Sequence, residues 1–568
     1  MKGNLLHTWA LWVRGLILAL LSVSLVAIFT GYAHAQVRFA KTYGGSGNDS
    51  ARSVQQTSDG GYIVASFTNS FGAGNYDILL IKTNAFGNVQ WAKTYGGANF
   101  DRANSVQQTS DGGYIVTGRT TSFGAGGWDI FLIKTDASGN IIWAKTYGGT
   151  NWDRDYSVQQ TSDGGYIVAG WTYSFGAGSV DILLIKMDAN GNVQWAKTYG
   201  GTDRDLALSV QQTSDGGYIV AGYTASFGAG NDDIFLIKTD ANGNVIWAKT
   251  YGGTNDDWAY SVQQTSDGGY IVAGWTYSFG AGWSDILLIK TDVNGNIIWA
   301  KTYGGTNSEW AYSVQQTSDG GYIVAGVTWS FGAGLYDIFL IKIDANGNVI
   351  WAKTYGGTGY DGTSSVQQTS DGGYIVTGET NSFGAGNRDI FLIKTDAFGN
   401  IQWAKTYGGT DWDFAHTAQQ TSDGGYIVVG YTTSFGAGND DIFLIKTDAN
   451  GDIGSCGIVG NASPMVTTPS PTVATPSPSV SSISLTPGSP SLTVTSPTLT
   501  VYEVCPLSFD DNVGISESCQ ITSGIITPYK GGIKVSGSGD FEVKVYNVSG
   551  VMVKSVKGKN EVKLELSR

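Results

Sequence analysis

Beyond Gln36 the apolar residues arrive in short runs of β-branched and aromatic side chains, broken by Gly, Asp and Asn, and they nowhere take the three-and-four spacing of a helical face. The runs recur. Q-T-S-D-G-G-Y-I-V returns eight times at an interval of 52 residues, with its aspartate at Asp59, Asp111, Asp163, Asp215, Asp267, Asp319, Asp371 and Asp423. Each unit reads as four strands: S-V-Q-Q-T, G-Y-I-V-A-G, D-I-F-L-I-K-T-D and N-V-I-W-A-K-T-Y. The S-D-G-G and D-A-N-G-N links put Asp-Gly or Asn-Gly where a tight hairpin needs positive φ. The unit is therefore a four-stranded antiparallel meander.

Strands apolar on both faces oblige each sheet to stack against neighbours on either side. The first copy opens with a fourth strand, Val37-Arg38-Phe39-Ala40-Lys41-Thr42-Tyr43. The last copy lacks that strand and runs from Asp452 into Ile453-Gly454-Ser455-Cys456. Supplying the missing piece closes a circle and leaves no open seam. The expectation is an all-β, eight-bladed β-propeller over residues 36–455. The alternative, an open β-solenoid, would require capping units that the chain does not show.

The flanks differ in kind. Lys2 and Arg14, an apolar stretch from Gly15 to Thr30, and Ala33-His34-Ala35 before Gln36 form the three parts of a secretory signal over residues 1–35. Its removal leaves 31 basic against 47 acidic side chains, a net −16, which disfavours nucleic acid and anionic membrane surfaces as partners. All ten prolines fall between Pro464 and Pro528, and residues 456–504 read as a Ser/Thr/Pro-rich extended linker. Residues 505–568 return to strand-like alternation and read as a small C-terminal β-sandwich-like domain. Cysteine is confined to Cys456, Cys505 and Cys519, so no disulfide staples the repeats. A Cys505–Cys519 bridge is one possible pairing, and sequence alone does not fix the connectivity.

Two resemblances follow from these residues. The segment from Leu236 to Trp247 resembles the tryptophan-docking repeat of eight-bladed quinoprotein propellers, and the whole unit is similar to the kelch-like repeats of secreted prokaryotic propellers. Both imply the fold alone, over residues 36 to about 455, and neither implies an activity. The alternation from Phe541 to Val553 resembles the sorting domain at the C-terminus of type IX secreted proteins. The chain ends at Leu566-Ser567-Arg568 without the Gly-aromatic strand usual there, so an incomplete sorting domain and a merely structural sandwich both remain open.

In a meander the S-D-G-G and D-A-N-G-N turns share one end of the sheet and the other two connections share the opposite end. The copies disagree chiefly at the latter. Of 18 tryptophans, two lie in the signal and seven in the repeated W-A-K-T-Y-G-G strand. The other nine, Trp128, Trp152, Trp171, Trp258, Trp275, Trp283, Trp310, Trp329 and Trp412, all sit at variable positions near this end, with Tyr360 among them. Drift in solvent-facing loops is one explanation, but drift ordinarily yields polar residues. Clustered aromatics beside carboxylates suit a surface that stacks on sugar rings or anchors a protein.

A fixed acid also recurs in the first variable loop, as Asp49, Asp101, Asp153, Asp205, Asp257, Glu309, Asp361 and Asp413. A ring of these could collect Ca2+, while a carboxylate bonding its own turn accounts for them more simply. The D-A-N-G-N turn has calcium-loop spacing, yet Phe86 and Phe398 occupy a ligand position, which favours a plain hairpin.

Only His416 survives signal removal, so histidine-rich metal sites are excluded and a Ser-His-Asp site would have to be built around that one residue. No catalytic residue or cofactor is expected. The reading is a monomeric, non-catalytic, secreted or cell-surface binding or structural module for a glycan or surface protein. The alternative is a carbohydrate hydrolase using paired carboxylates.

Overall fold

The structure, a computed structural model, describes residues 37–453 apart from residue 333, and beyond them the backbone of a set of strands between residues 460 and 565. The signal region and the disulfide possibilities at Cys456, Cys505 and Cys519 lie outside what can be described of its side chains.

Eight four-stranded antiparallel blades form a ring, which is the eight-bladed β-propeller expected. In the first blade the strands run Asp49–Gln56, Tyr62–Thr68, Asp77–Thr83 and Val89–Gly96 from the inside outward. The second and third strands are buried end to end, so the core lies between blades rather than within one. One such layer joins Ile167, Ile182 and Leu184 to Tyr218, Phe235 and Ile237 of the following blade. Each of these aliphatic and aromatic side chains contributes about 1.5–3 kcal/mol on burial, and an isolated blade would forfeit it on both faces.

The circle closes as the sequence requires. Phe39–Gly44 pairs with Asp441–Thr447 in the register Tyr43↔Ile442, Lys41↔Leu444 and Phe39↔Lys446. The first blade shows the same offset, Tyr95↔Ile78, Lys93↔Leu80 and Trp91↔Lys82.

Neighbouring blades are joined by a repeated lock. The outer-strand tryptophan lies on a glycine in the next blade's hairpin turn. A Cβ at Gly243, where φ is 70°, would come 2.7 Å from Trp195, and the indole Nε1–H donates to the Ala241 carbonyl at 3.0 Å. Tyr199 reaches the same turn, its hydroxyl donating to the Gly243 carbonyl at 2.7 Å. At the seam Phe39 replaces tryptophan over Gly87, and Tyr43 donates to the Gly87 carbonyl at 2.6 Å.

The inner strands are stitched separately. The Gln108 amide donates to Gln55 Oε1 and the Ser58 amide to Gln108 Oε1, a pattern that passes round the ring and closes through Gln56 to Gln419 and Ser422 to Gln56. Each S-D-G-G turn is pinned by a buried lysine, as Lys82 to Asp59 at 2.9 Å. Burial alone would raise these carboxyls, but bonds from the turn threonine and the lysine outweigh it and hold Asp111, Asp163 and Asp215 at about 2.

The Ser/Thr/Pro segment does more than link. Short strands Gly460–Asn461, Met465–Thr467, Thr472–Ala474 and Ser479–Ser482 add to the outer edges of the sixth, fifth, fourth and third blades in turn. Thr493–Thr495 and Thr500–Cys505 then add to the first and eighth. The outer strands present unpaired backbone groups that accept such additions. Residues 507–568 form a separate unit whose backbone contains a three-stranded antiparallel sheet, Ile525–Tyr529, Gly532–Tyr546 and Met552–Glu565. Among the described residues no helix is long and apolar enough to cross a membrane.

Removing the seam aromatic should open the ring. Phe39→Ala is expected to cost about 3–5 kcal/mol, read as a fall in thermal midpoint. Phe39→Trp, which gives the seam the indole donor found at the other boundaries, should match or exceed the parent. Equal losses from both variants would show that Phe39 does not dock as the tryptophans do.

Candidate functional site

The two variable connections lie together on one face. Adjacent blades touch there through parallel bridges such as Tyr76↔Phe100, Val180↔Arg204 and Arg388↔Trp412. Beneath the surface the loops are uniform. In the second blade, Asp101 accepts from the Gly97 amide at 2.9 Å and the Ser122 hydroxyl at 2.6 Å. Asp77, which opens the third strand of the blade before, accepts from the Ala73 and Gly74 amides. The two carboxylates flank Gly96, where a Cβ would stand 1.8 Å from Asp77 Oδ1 and 2.9 Å from Asp101 Oδ2. The first glycine of Y-G-G is thus required by the pair of acids at each boundary.

The eight fixed acids, Asp49, Asp101, Asp153, Asp205, Asp257, Glu309, Asp361 and Asp413, are accordingly distributed one per blade and fully buried, each bonded within its own loop. Among the described residues no three His, Cys, Asp or Glu side chains converge as metal ligands would. The D-A-N-G-N aspartates cap their own hairpins, as Asp240 Oδ1 accepting from Asn242 and Asn244.

The predicted aromatic residues separate into two groups. Trp152, Trp283, Trp329 and Trp412 are exposed, at 49, 73, 44 and 46%. Trp171 and Trp275 are buried, at 7 and 9%, because the second strand turns that position inward beside the following loop. Trp128, Trp258, Trp310 and Tyr360 are half-buried. Trp258 stacks on Tyr223 at 4.2 Å with its Nε1–H on Asp232 Oδ2 at 3.0 Å. Tyr336 touches Trp310, Trp329 and Tyr360, and Arg388 lies 4.9 Å from Tyr360 and 5.2 Å from Trp412. The aromatics of neighbouring blades therefore form continuous stretches of face, and the four exposed tryptophans are their accessible part.

A further row emerges only from the register. Each inner strand carries a bulge next to its third residue, and the extra residue is Arg52, Asn104, Tyr156, Leu208, Tyr260, Tyr312, Ser364 or His416. These face their neighbours around the innermost circle, as Tyr260 against Tyr312 at 5.7 Å. Burial, followed by the charge of Arg52, holds His416 down at about 4, so it is neutral over the physiological range.

Charge marks this face as well as aromatic rings do. All sixteen lysines between 36 and 453 occupy two repeated positions, whereas six of the seven arginines, Arg52, Arg102, Arg119, Arg154, Arg204 and Arg388, occupy variable ones. That contrast was available in the sequence.

Comparison with known proteins adds to the fold and little else. Residues 161–193 match a family described as "Domain of unknown function (DUF5122) beta-propeller". "Regulatory protein FlaEY" of Caulobacter vibrioides is 25% identical over 232 residues, a match covering 36% of this chain and 24% of that protein, so the chain spans about a quarter of the relative's length. The solved structure of Sqt1 from Chaetomium thermophilum covers 72% of this chain and 99% of its own, with 11% identity and a TM-score of 0.45. Puromycin hydrolase covers 70% of this chain and 59% of its own, with 12% identity and a TM-score of 0.33.

The buried acid pairs make stability depend on pH. Burial first, and the neighbouring Asp153 second, push Asp129 up to about 7; burial similarly takes Asp77, Asp181, Asp233, Asp285 and Asp389 to about 6. Folding takes up protons between the unfolded value of 3.8 and these values, so their contribution is complete below about 4 and lost as pH rises through 6 to 7. The turn aspartates held at about 2 act oppositely, but only as pH falls below 3.8. The thermal midpoint should therefore peak near pH 4 and decline toward pH 7. A midpoint that rises from pH 5 to pH 8 would contradict this.

Proposed function

We propose that the protein is an exported or cell-surface binding module whose propeller presents its variable, aromatic-rich face to a glycan or a protein. The observation that carries this reading is the division of labour between faces. Everything that holds the ring together, namely the docked tryptophans, the glutamine stitches and the lysine-pinned turns, is repeated, while the residues that differ among copies meet on one surface.

A rigid scaffold whose variation is concentrated at one rim suits recognition, because the scaffold bears the ordering cost and the rim supplies contacts. Half-exposed indoles such as Trp152 and Trp412 offer apolar area with few torsions to freeze, which favours stacking on sugar rings or anchoring in a protein pocket. Export rests on the signal-like residues 1–35. The module acts as a monomer, without cofactor, catalysis or nucleic acid. The acids paired across the blade boundaries are fully buried beneath this face and bonded to their own loops, an arrangement that serves folding rather than hydrolysis.

Glycan arrays and pull-downs from cell-surface extracts with the full chain test this. Trp152→Ala, Trp283→Ala, Trp329→Ala and Trp412→Ala together should reduce retention at least tenfold without lowering the thermal midpoint, whereas Trp171→Ala and Trp275→Ala should lower the midpoint. Retention unchanged by the fourfold variant would overturn the reading.

A further inference from the structure

Four of the six arginines on the variable face gather over the first three blades. Arg52 is the bulge residue of the first inner strand, and Arg102 and Arg154 lie on the next two. Arg119 sits directly across the sheet from Arg102 as its cross-strand partner. Like charges opposed in this way destabilise a sheet. Burial followed by the charge of Arg154 brings Arg119 down to about 10, with Arg102 and Arg52 adding to the effect and Asp155 opposing it.

Carboxylates do not neutralise the group. Among the described residues Arg204 pairs with Asp232 and Arg388 with Glu379, but none of Arg52, Arg102, Arg119 and Arg154 makes an ion pair. The Nε atoms of Arg102, Arg119 and Arg154 are buried without a hydrogen-bond partner. Asp155, whose charge acts on Arg119, already accepts from Thr117 at 2.7 Å and Asn104 at 2.9 Å. Four cations thus gather in one corner of a chain whose formal charge is −14. Aromatic rings hold the guanidinium planes in place. Arg102 lies 4.7 Å from both Phe67 and Tyr76, Arg119 5.0 Å from Trp128, and Arg154 5.1 Å from Trp152. Cation–π contact positions a guanidinium but leaves its hydrogen-bonding edge unmet, and that edge matches a carboxylate or sulfate oxygen pair.

We infer that this sector is an anion site for an acidic polysaccharide, the arginines taking its carboxylate or sulfate groups while neighbouring rings such as Trp152 take the faces of its sugars. The inference rests on the proposed binding role and specifies its ligand. Alternation of guanidinium and ring suits a polymer whose units carry both an oxyanion and an apolar ring face. An acidic peptide lacks the ring face. Nucleic acid would bring a phosphate at every unit toward a strongly acidic chain whose outer lysines are committed to neighbouring turns.

The test uses the full chain with oligogalacturonate, a sulfated oligosaccharide, a neutral gluco-oligosaccharide, poly-glutamate, single-stranded DNA and sodium sulfate as probes. An acidic oligosaccharide should bind at least tenfold more tightly than the neutral one. Arg102→Ala/Arg119→Ala should erase that preference, while Arg204→Ala should retain it. Galacturonate against sulfate esters distinguishes carboxylate from sulfate as the group recognised. Relief of the opposed charges should leave the double variant's thermal midpoint equal or higher, separating lost binding from lost folding. Equal binding of acidic and neutral sugars, or a preference that survives the double variant, overturns the anion site but leaves the binding face intact. Tighter binding of poly-glutamate or DNA than of any saccharide overturns it as well. Binding of no probe, with the exposed-tryptophan variant equally silent on arrays, overturns both.

Discussion

One contact repeated at the blade boundaries carries the architecture: an aromatic ring on an outer strand lying flat on a glycine of the next hairpin turn. The turn needs glycine twice over, once for a φ near 70° and once because a Cβ would fall within 3 Å of the ring. The ring in turn buries its area against backbone and, at the seven tryptophan boundaries, donates its N–H to that turn. Since each blade is apolar on both sides, stability is a nearest-neighbour property, and an open array would end in two wet faces. Phe39 and Tyr43 remove those ends by bringing the chain's first strand into the last sheet.

Because closure is achieved by repeated residues, the opposite rim is released from structural duty. The S-D-G-G turns are held by glutamines and by lysines buried against turn aspartates, and the D-A-N-G-N turns beside them vary at single positions such as Phe86, Val293 and Phe398. The other rim rests on a floor of paired acids that fixes loop shape through glycine and serine rather than through the residues on top. Variable side chains can therefore change without unfolding the blade beneath them. The cost is a set of like charges held close together, tolerated by partial protonation in the floor and, at the arginines, by aromatic packing.

Most of the fold was legible in the sequence because the signals were local and multiplied by eight. Asp-Gly and Asn-Gly marked the hairpins, and the stray first strand declared the closure. The short strands of the Ser/Thr/Pro segment are not legible in the sequence, because they are two to six residues long and exist only by adding to an edge supplied by distant parts of the chain. The site was less legible. Trp171 and Trp275 occupy variable positions just as Trp152 does, but strand register turns them inward. The opposition of Arg102 to Arg119 likewise depends on pairing between strands, so neither arginine stands out singly.

Amide hydrogen exchange across Phe39–Gly44 tests circular closure most directly. If these residues complete the last blade, their amides are protected to the same degree as those of Val193–Gly200, the equivalent outer strand of a blade made wholly from one repeat. Exchange at the rate of an unstructured chain, with Val193–Gly200 protected, would mean that the ring is not closed by this strand.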